Sequence, residues 1–100
     1  MSKIAIEIAR AHLACTNPSS WDGTGDPPSD FDSRIRTYRI NAYTELDISF
    51  EQERGDGWLH CCELRDAATG DLLEILHGYG INSPQNLADT IEDITKEVSK

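Results

Sequence analysis

One hundred residues with 38% apolar content and a net charge of −9 describe a single globular domain, residues 1–100, with room for a two-layer core and none for a second domain. The sign of the charge excludes direct binding to DNA or RNA, which takes a basic surface, and adsorption to an anionic membrane, which would repel the chain. The charge is also unevenly placed: residues 41–95 hold 12 acidic groups against Arg54 and Arg65 alone, whereas Arg34, Arg36 and Arg39 cluster just before them.

In Met1 to Cys15, Glu7, Arg10 and His12 break up the alanines and isoleucines before a signal-peptide apolar run can form, and no transmembrane stretch follows. Ser2 is placed to cap a first helix whose apolar residues Ile4, Ile8, Ala11 and Cys15 recur at helical spacing. A strand is the competing reading, because Ile4, Ile6 and Ile8 also alternate. The alanines that continue the helical pattern favour the helix.

Residues 17–33 are rich in Pro, Gly, Ser and Asp and contain no basic residue. This composition predicts a long acidic loop, of a length that is functional or disordered in compact domains, with Trp21 and Phe31 pinning its ends. Ile35 to Ala42 then reads as a first strand. Leu46, Ile48 and Phe50 alternate with Asp47, Ser49 and Glu51 in a second. The turn chemistry of Arg54-Gly55-Asp56-Gly57 leads into a third strand, Trp58 to Arg65. Ala68-Thr69-Gly70 suits a three-residue hairpin loop, with Gly70 left-handed, before Leu72 to Tyr79. Ser83 and Pro84 open a last helix, as cap and first helical residue, and Leu87, Ile91, Ile94 and Val98 form its apolar stripe. The expected fold is α+β, an antiparallel meander of three or four strands packed against an N-terminal and a C-terminal helix, in α-β-β-β-α order.

A hairpin tip at Gly55 and Asp56 pairs Glu53 with Trp58, Glu51 with His60 and Ser49 with Cys62. The second hairpin sets Cys61 opposite His77 and Leu59 opposite Tyr79. Alternation then predicts a core face of Leu46, Ile48, Phe50, Leu59, Cys61, Leu73, Ile75, His77 and Tyr79. The other face is predicted to carry Asp47, Glu51, Glu53, Trp58, His60, Cys62, Leu64, Leu72, Glu74 and Leu76, an apolar strip with a carboxylate rim. Such a strip suits a protein interface. Burial under the folded-back loop, or contact with a second copy in a homodimer, would also account for it.

Several patterns resemble functional motifs without meeting their requirements. Cys61 and Cys62 point to opposite sides of a strand and cannot share one ion. Cys61, His77 and Cys15 make at most three ligands, without the paired spacing of a structural zinc site. Nothing activates Cys61 as a nucleophile for His77. Asp22, Asp26, Asp30 and Asp32 do not follow the spacing of a calcium loop. Gly78-Tyr79-Gly80 has too little chain after it for a nucleotide-binding βαβ unit. Asp89, Asp93 and Glu97 share one helix face, which solvation alone explains. Three cysteines, an odd number, make no disulfide framework and fit a reducing cytoplasm.

No catalytic residue, metal or cofactor is therefore expected. In size, charge and architecture the chain resembles the small acidic inhibitors of phages and mobile elements, the anti-CRISPR proteins and DNA mimics, a compositional likeness over the whole length that rests on no shared motif. It implies a non-enzymatic protein that inhibits or regulates a basic, nucleic-acid-handling protein, with carboxylates standing in for phosphates. The contacts expected on this reading are Asp22, Asp26, Asp30, Asp32, Asp47, Glu51, Glu53, Trp58 and Glu74. A Cys/His metal- or thiol-dependent protein using His60, Cys61, Cys62 and His77, or a homodimeric accessory subunit, is the alternative.

Overall fold

Two helices lie side by side on one face of a four-stranded antiparallel sheet, and among the described residues no element covers the opposite face. This computed structural model describes residues 3–22, 27–52 and 57–96. The expected cap Ser2, the acidic residues Asp26, Glu53 and Glu97, the turn residues Arg54 to Asp56 and the stripe residue Val98 lie outside the described residues. The elements are α1 (Lys3–Thr16), β1 (Arg36–Asn41), β2 (Thr44–Gln52), β3 (Trp58–Asp66), β4 (Leu72–Tyr79) and α2 (Pro84–Thr95), with the strands in sequential order across the sheet. The expected α+β meander between two helices is thus present, with four strands.

Helix α1 is rotated from its expected position. Its buried residues are Ala5, Ile8, Ala9, His12, Leu13 and Thr16, while Ile4, Ala11 and Cys15 are exposed. Ala5 and Ala9 on the packed side let the helix backbone come close to its neighbours, which longer side chains there would prevent. The Thr16 hydroxyl donates to the His12 carbonyl at 2.9 Å, and Pro18 follows where the helix must stop. Helix α2 starts as its sequence dictates. The Ser83 side chain accepts from the Asn86 N–H at 3.3 Å and Pro84 occupies the first turn. Leu87, Ala88, Ile91, Ile94 and Thr95 form its buried stripe.

From Leu59 to Leu64 the β3–β4 register is the expected one, with Leu59 opposite Tyr79, Cys61 opposite His77 and Cys62 opposite Leu76. The Asp66 N–H, however, donates to the Asp71 carbonyl at 2.9 Å, so the turn holds the four residues Ala67 to Gly70 in place of the expected three. The β2–β3 register is not the expected one. Gln52, and not Glu53, stands opposite Trp58, so that Phe50 pairs with His60, Ile48 with Cys62 and Leu46 with Leu64. A shift of one residue turns every side chain of β3, and of β4 with it, to the other face. His60, Cys62 and Leu64 are consequently buried against the helices with Leu46, Ile48 and Phe50. Leu59, Cys61, Ile75, His77 and Tyr79 share the opposite face. Near the start of β4 the ladder passes from the pair Leu64–Glu74 to the pair Arg65–Leu72, leaving Leu73 bulged between them.

His60 explains why the helix side takes this set. Its Nδ1 lies 2.9 Å from the Gly80 carbonyl and its Nε2 lies 2.7 Å from Thr90 Oγ1. A carbonyl only accepts, so Nδ1 carries the proton and Nε2 accepts from the threonine hydroxyl. One ring thereby ties β3 to the end of β4 and to α2. The ring fits because Gly78 faces it: a Cβ at Gly78 would fall inside van der Waals contact with both His60 Nε2 and Thr90 Oγ1. The end of the acidic loop closes the same layer, with Phe31 stacked on Phe50 at 5.4 Å and set edge-on against Trp58 and Trp21 at 5.3 and 5.9 Å.

Gly78→Ala is expected to lower stability by about 1–3 kcal/mol, the range for forcing a methyl group into a filled core. Urea denaturation against the unsubstituted chain measures it. Acid is expected to act through His12 and His60. Burial, followed by the Arg36 charge, pulls His12 down from 6.5 to about 4, and burial also lowers His60. The unfolded chain then binds protons that the folded chain refuses, so stability is complete above the unfolded value and falls as the pH drops from 6.5 toward 4. The His12 share is about 3 kcal/mol. Replacing His12 with a ring that does not titrate in this range, by His12→Phe, should flatten the profile measured by denaturation between those two values.

Candidate partner-binding face

The uncovered face of the sheet is organised in rows that cross the strands. Arg39, Glu45 and Arg65 form one row; Thr37, Asp47, Glu63 and Ile75 a second; Ser49, Cys61 and His77 a third; Glu51, Leu59 and Tyr79 a fourth. The β1–β2 half is charged and largely neutralises itself. Arg65 reaches Asp47 at 3.2 Å and Glu63 at 2.5 Å, Arg39 reaches Glu45 at 3.1 Å, and the Thr37 hydroxyl donates to Asp47 at 2.6 Å. Three carboxylates, Glu45, Asp47 and Glu63, meet two guanidinium groups. Glu51 is exposed and has no ion pair among the described residues.

The β3–β4 half is apolar and open to solvent. Tyr79 is 69% exposed, Leu73 50%, Leu72 49% and Ile75 40%, although aliphatic side chains of this size are ordinarily covered. The bulge at Leu73 is what brings both leucines toward Arg65 and away from the helices. Cys61 is shielded in the middle of this half, beside His77. Glu74 stands at the open edge, where its Oε1 accepts the Ile75 N–H at 3.0 Å.

The residues expected to contact a partner are thus divided. Asp47 and Glu51 come together on the outer face, whereas Glu74, opposite Leu64, belongs to the helix-side set of β4 and reaches the strand's open edge. Trp58, expected there, is on the helix side with its ring against Phe31, because the register differs by one residue. Asp32 is held by Arg34 at 3.0 Å and Arg36 at 2.7 Å, and these hydrogen bonds, that of Arg34 foremost, keep its carboxyl well below the usual range. Its N–H donates to the Thr16 carbonyl, which fixes this part of the loop on the helix side. Asp22 and Asp30 are exposed in the same loop; Asp26 and Glu53 lie outside the described residues. Leu59, Cys61, Ile75, His77 and Tyr79, expected on the core face, stand on the outer face, and Leu73, expected with them, is exposed at the bulge. Gly78 was the signal that could have placed them, since the strand position that tolerates no Cβ belongs on the crowded side, and its neighbours Tyr79 and His77 then face out.

The same geometry bears on metal and thiol chemistry. Among the described residues no group of three or more His, Cys, Asp or Glu is arranged to hold a metal ion. Cys61 and His77 do sit opposite each other, but on the outer face, with the whole sheet between them and α1, so Cys15 cannot join them. Burial pushes the Cys61 thiol up to about 11 and the Cys62 thiol up to about 12, which leaves both protonated at neutral pH. His60 is engaged at both nitrogens. Among the described residues no helix is long and apolar enough to cross a membrane. No family model, curated protein or solved structure matches the chain.

All three cysteines are free, and only Cys15 is exposed. A thiol-reactive dye at neutral pH should modify one equivalent rapidly in the folded protein and three in denaturant. Rapid modification of a second cysteine without denaturant would show an accessible, activated thiol on the sheet.

Proposed function

We propose that this chain is a binding protein with no chemistry of its own, which docks the β3–β4 half of its outer sheet face on a basic surface of a second protein. The observation that carries this reading is the exposed apolar stripe of Tyr79, Ile75, Leu72 and Leu73, with the carboxylate of Glu51 in the same cross-strand row as Tyr79 and that of Glu74 at the open edge of β4. Apolar anchors supply burial, and the surrounding charges select and orient the partner. A partner surface that handles nucleic acid has the required sign, and carboxylates spaced along a sheet then take the place of phosphates. Inhibition or regulation of such a protein, in the manner of the small acidic phage and mobile-element inhibitors that the chain resembles in size and charge, is the function this supports. Free thiols at Cys15, Cys61 and Cys62 agree with action in a reducing cytoplasm. Face-to-face packing of two copies is disfavoured, because it would press the same carboxylate rim against itself.

The test is capture of partners on immobilised protein at about 50 mM and about 500 mM salt, followed by titration of the purified partner at both. Affinity is expected to fall at least ~10-fold at the higher salt, and Glu51→Gln to reduce it mainly through the association rate. Tyr79→Ser should weaken binding through faster dissociation, at a cost of about 1–3 kcal/mol if the ring is an anchor. A partner that binds equally well at both salts, or is indifferent to both substitutions, would falsify this reading.

A further inference from the structure

We propose that the open edge of β4 is a strand-addition site for an extended, lysine- or arginine-bearing segment of the partner. The inference rests on the docking reading above and names the form the partner takes. Among the described residues β4 is the last strand of the sheet and pairs only with β3. The Gly80 N–H donates to the Trp58 carbonyl across that pair, whereas the Ile75 N–H turns the other way, to its neighbour's carboxylate. Backbone groups in a strand alternate in direction, so those of Ile75, His77 and Tyr79 point to the open edge. From Leu72 to Tyr79 the strand contains no proline and no lysine, two of the usual means of blocking an edge; its one bulge, at Leu73, leaves Ile75 to Tyr79 regular. An added strand would lay alternate side chains beside Ile75 and Tyr79 on the outer face, which is how strand addition combines backbone affinity with side-chain selection.

Glu74 decides the charge of the occupant. Its carboxylate now satisfies the Ile75 N–H, the group that an incoming backbone carbonyl must take. Strand addition displaces that carboxylate and leaves it beside the new strand, where a lysine or arginine compensates it. A second copy paired through its own β4 supplies no such cation. If Ile75 faces its own symmetry mate, Glu74 stands opposite Leu76; if Leu76 does, Glu74 stands opposite Gly78. The other edge of the sheet repels a basic segment, because β1 carries Arg36 and Arg39 and no carboxylate, whereas β4 carries Glu74 and no lysine or arginine.

The probe is a synthetic peptide of alternating lysine and valine. Two companions are used: one N-methylated at every backbone amide, and one with glutamine for lysine. The alternating peptide is expected to slow amide hydrogen exchange at Ile75, His77 and Tyr79 by ~10-fold or more, and N-methylation to weaken binding by a similar factor, since it removes the ladder donors and keeps the charge. Glu74→Gln should narrow the difference between the lysine and glutamine peptides. Equal affinity for the methylated peptide, protection of β1 amides in place of β4, or no binding would each overturn the proposal. So would a free protein that sediments as a dimer with its β4 amides already protected, which would put a second copy on the edge. Salt-sensitive binding of a captured partner with β4 amides still exchanging freely would remove strand addition and leave the docking reading standing.

Discussion

The pairing of Phe50 with His60 is the constraint on which the rest of the structure depends. Once that pair is fixed, alternation along two strands decides which side chains meet the helices and which meet water. His60 holds the choice in place by bonding the turn after β4 and the middle of α2 with its two ring nitrogens. A one-residue slip would leave Gly80 and Thr90 without this partner and bring Leu59 and Cys61 beneath the helices. Gly78 is the other half of the same device, because the imidazole occupies the space that any larger residue would fill. A buried ring that must stay neutral therefore sets the composition of a surface it does not touch.

Seen across the sheet, the charge is partitioned. Cations line the β1 edge, mixed charges in mutual contact occupy the middle, and the β4 side keeps apolar side chains with unneutralised acids at its borders. The acidic excess of the chain is not spread evenly over the molecule. Glu45, Asp47 and Glu63 are engaged by arginines, and exposed ion pairs of this kind add little to stability. Their effect is to cancel field over one half of the outer face, so that the β4 half stands out by contrast.

Much of the fold was legible from local signals. The Ser83-Pro84 helix start, the left-handed Gly70 and the alternation of Leu46, Ile48 and Phe50 each have one physical solution, and each element stands where its signal placed it. The orientation of β3 was not legible, because Leu59 and Cys61 are as apolar as Cys62 and Leu64, and neither face of that strand announces itself. The register then hung on the length of one turn: four residues after Glu53 give one answer, and five after Gln52 give the other. The site inherited this ambiguity. Its carboxylates Asp47 and Glu51 were readable from β2, where alternation is clean, whereas its apolar anchors and the place of Trp58 depended on the turn. The rotation of α1 has a similar origin, since Ala, Ile and Cys recur on two neighbouring helix faces and only the close approach of Ala5 and Ala9 separates them.

The open edge also gives the charge of the chain a second meaning. An unpaired strand with exposed leucines and an isoleucine is a template for any other such strand, including that of an identical molecule. Two chains that each carry −9 repel over roughly 10 Å at 0.1 M salt, a range that covers the approach of one edge to another. This repulsion opposes self-association, and the same field would favour the positively charged segment proposed as the occupant of the edge. Colloidal stability and partner choice then have a single electrostatic origin, and neutralising the acids to strengthen the fold would cost the protein its protection against fibril-like self-pairing.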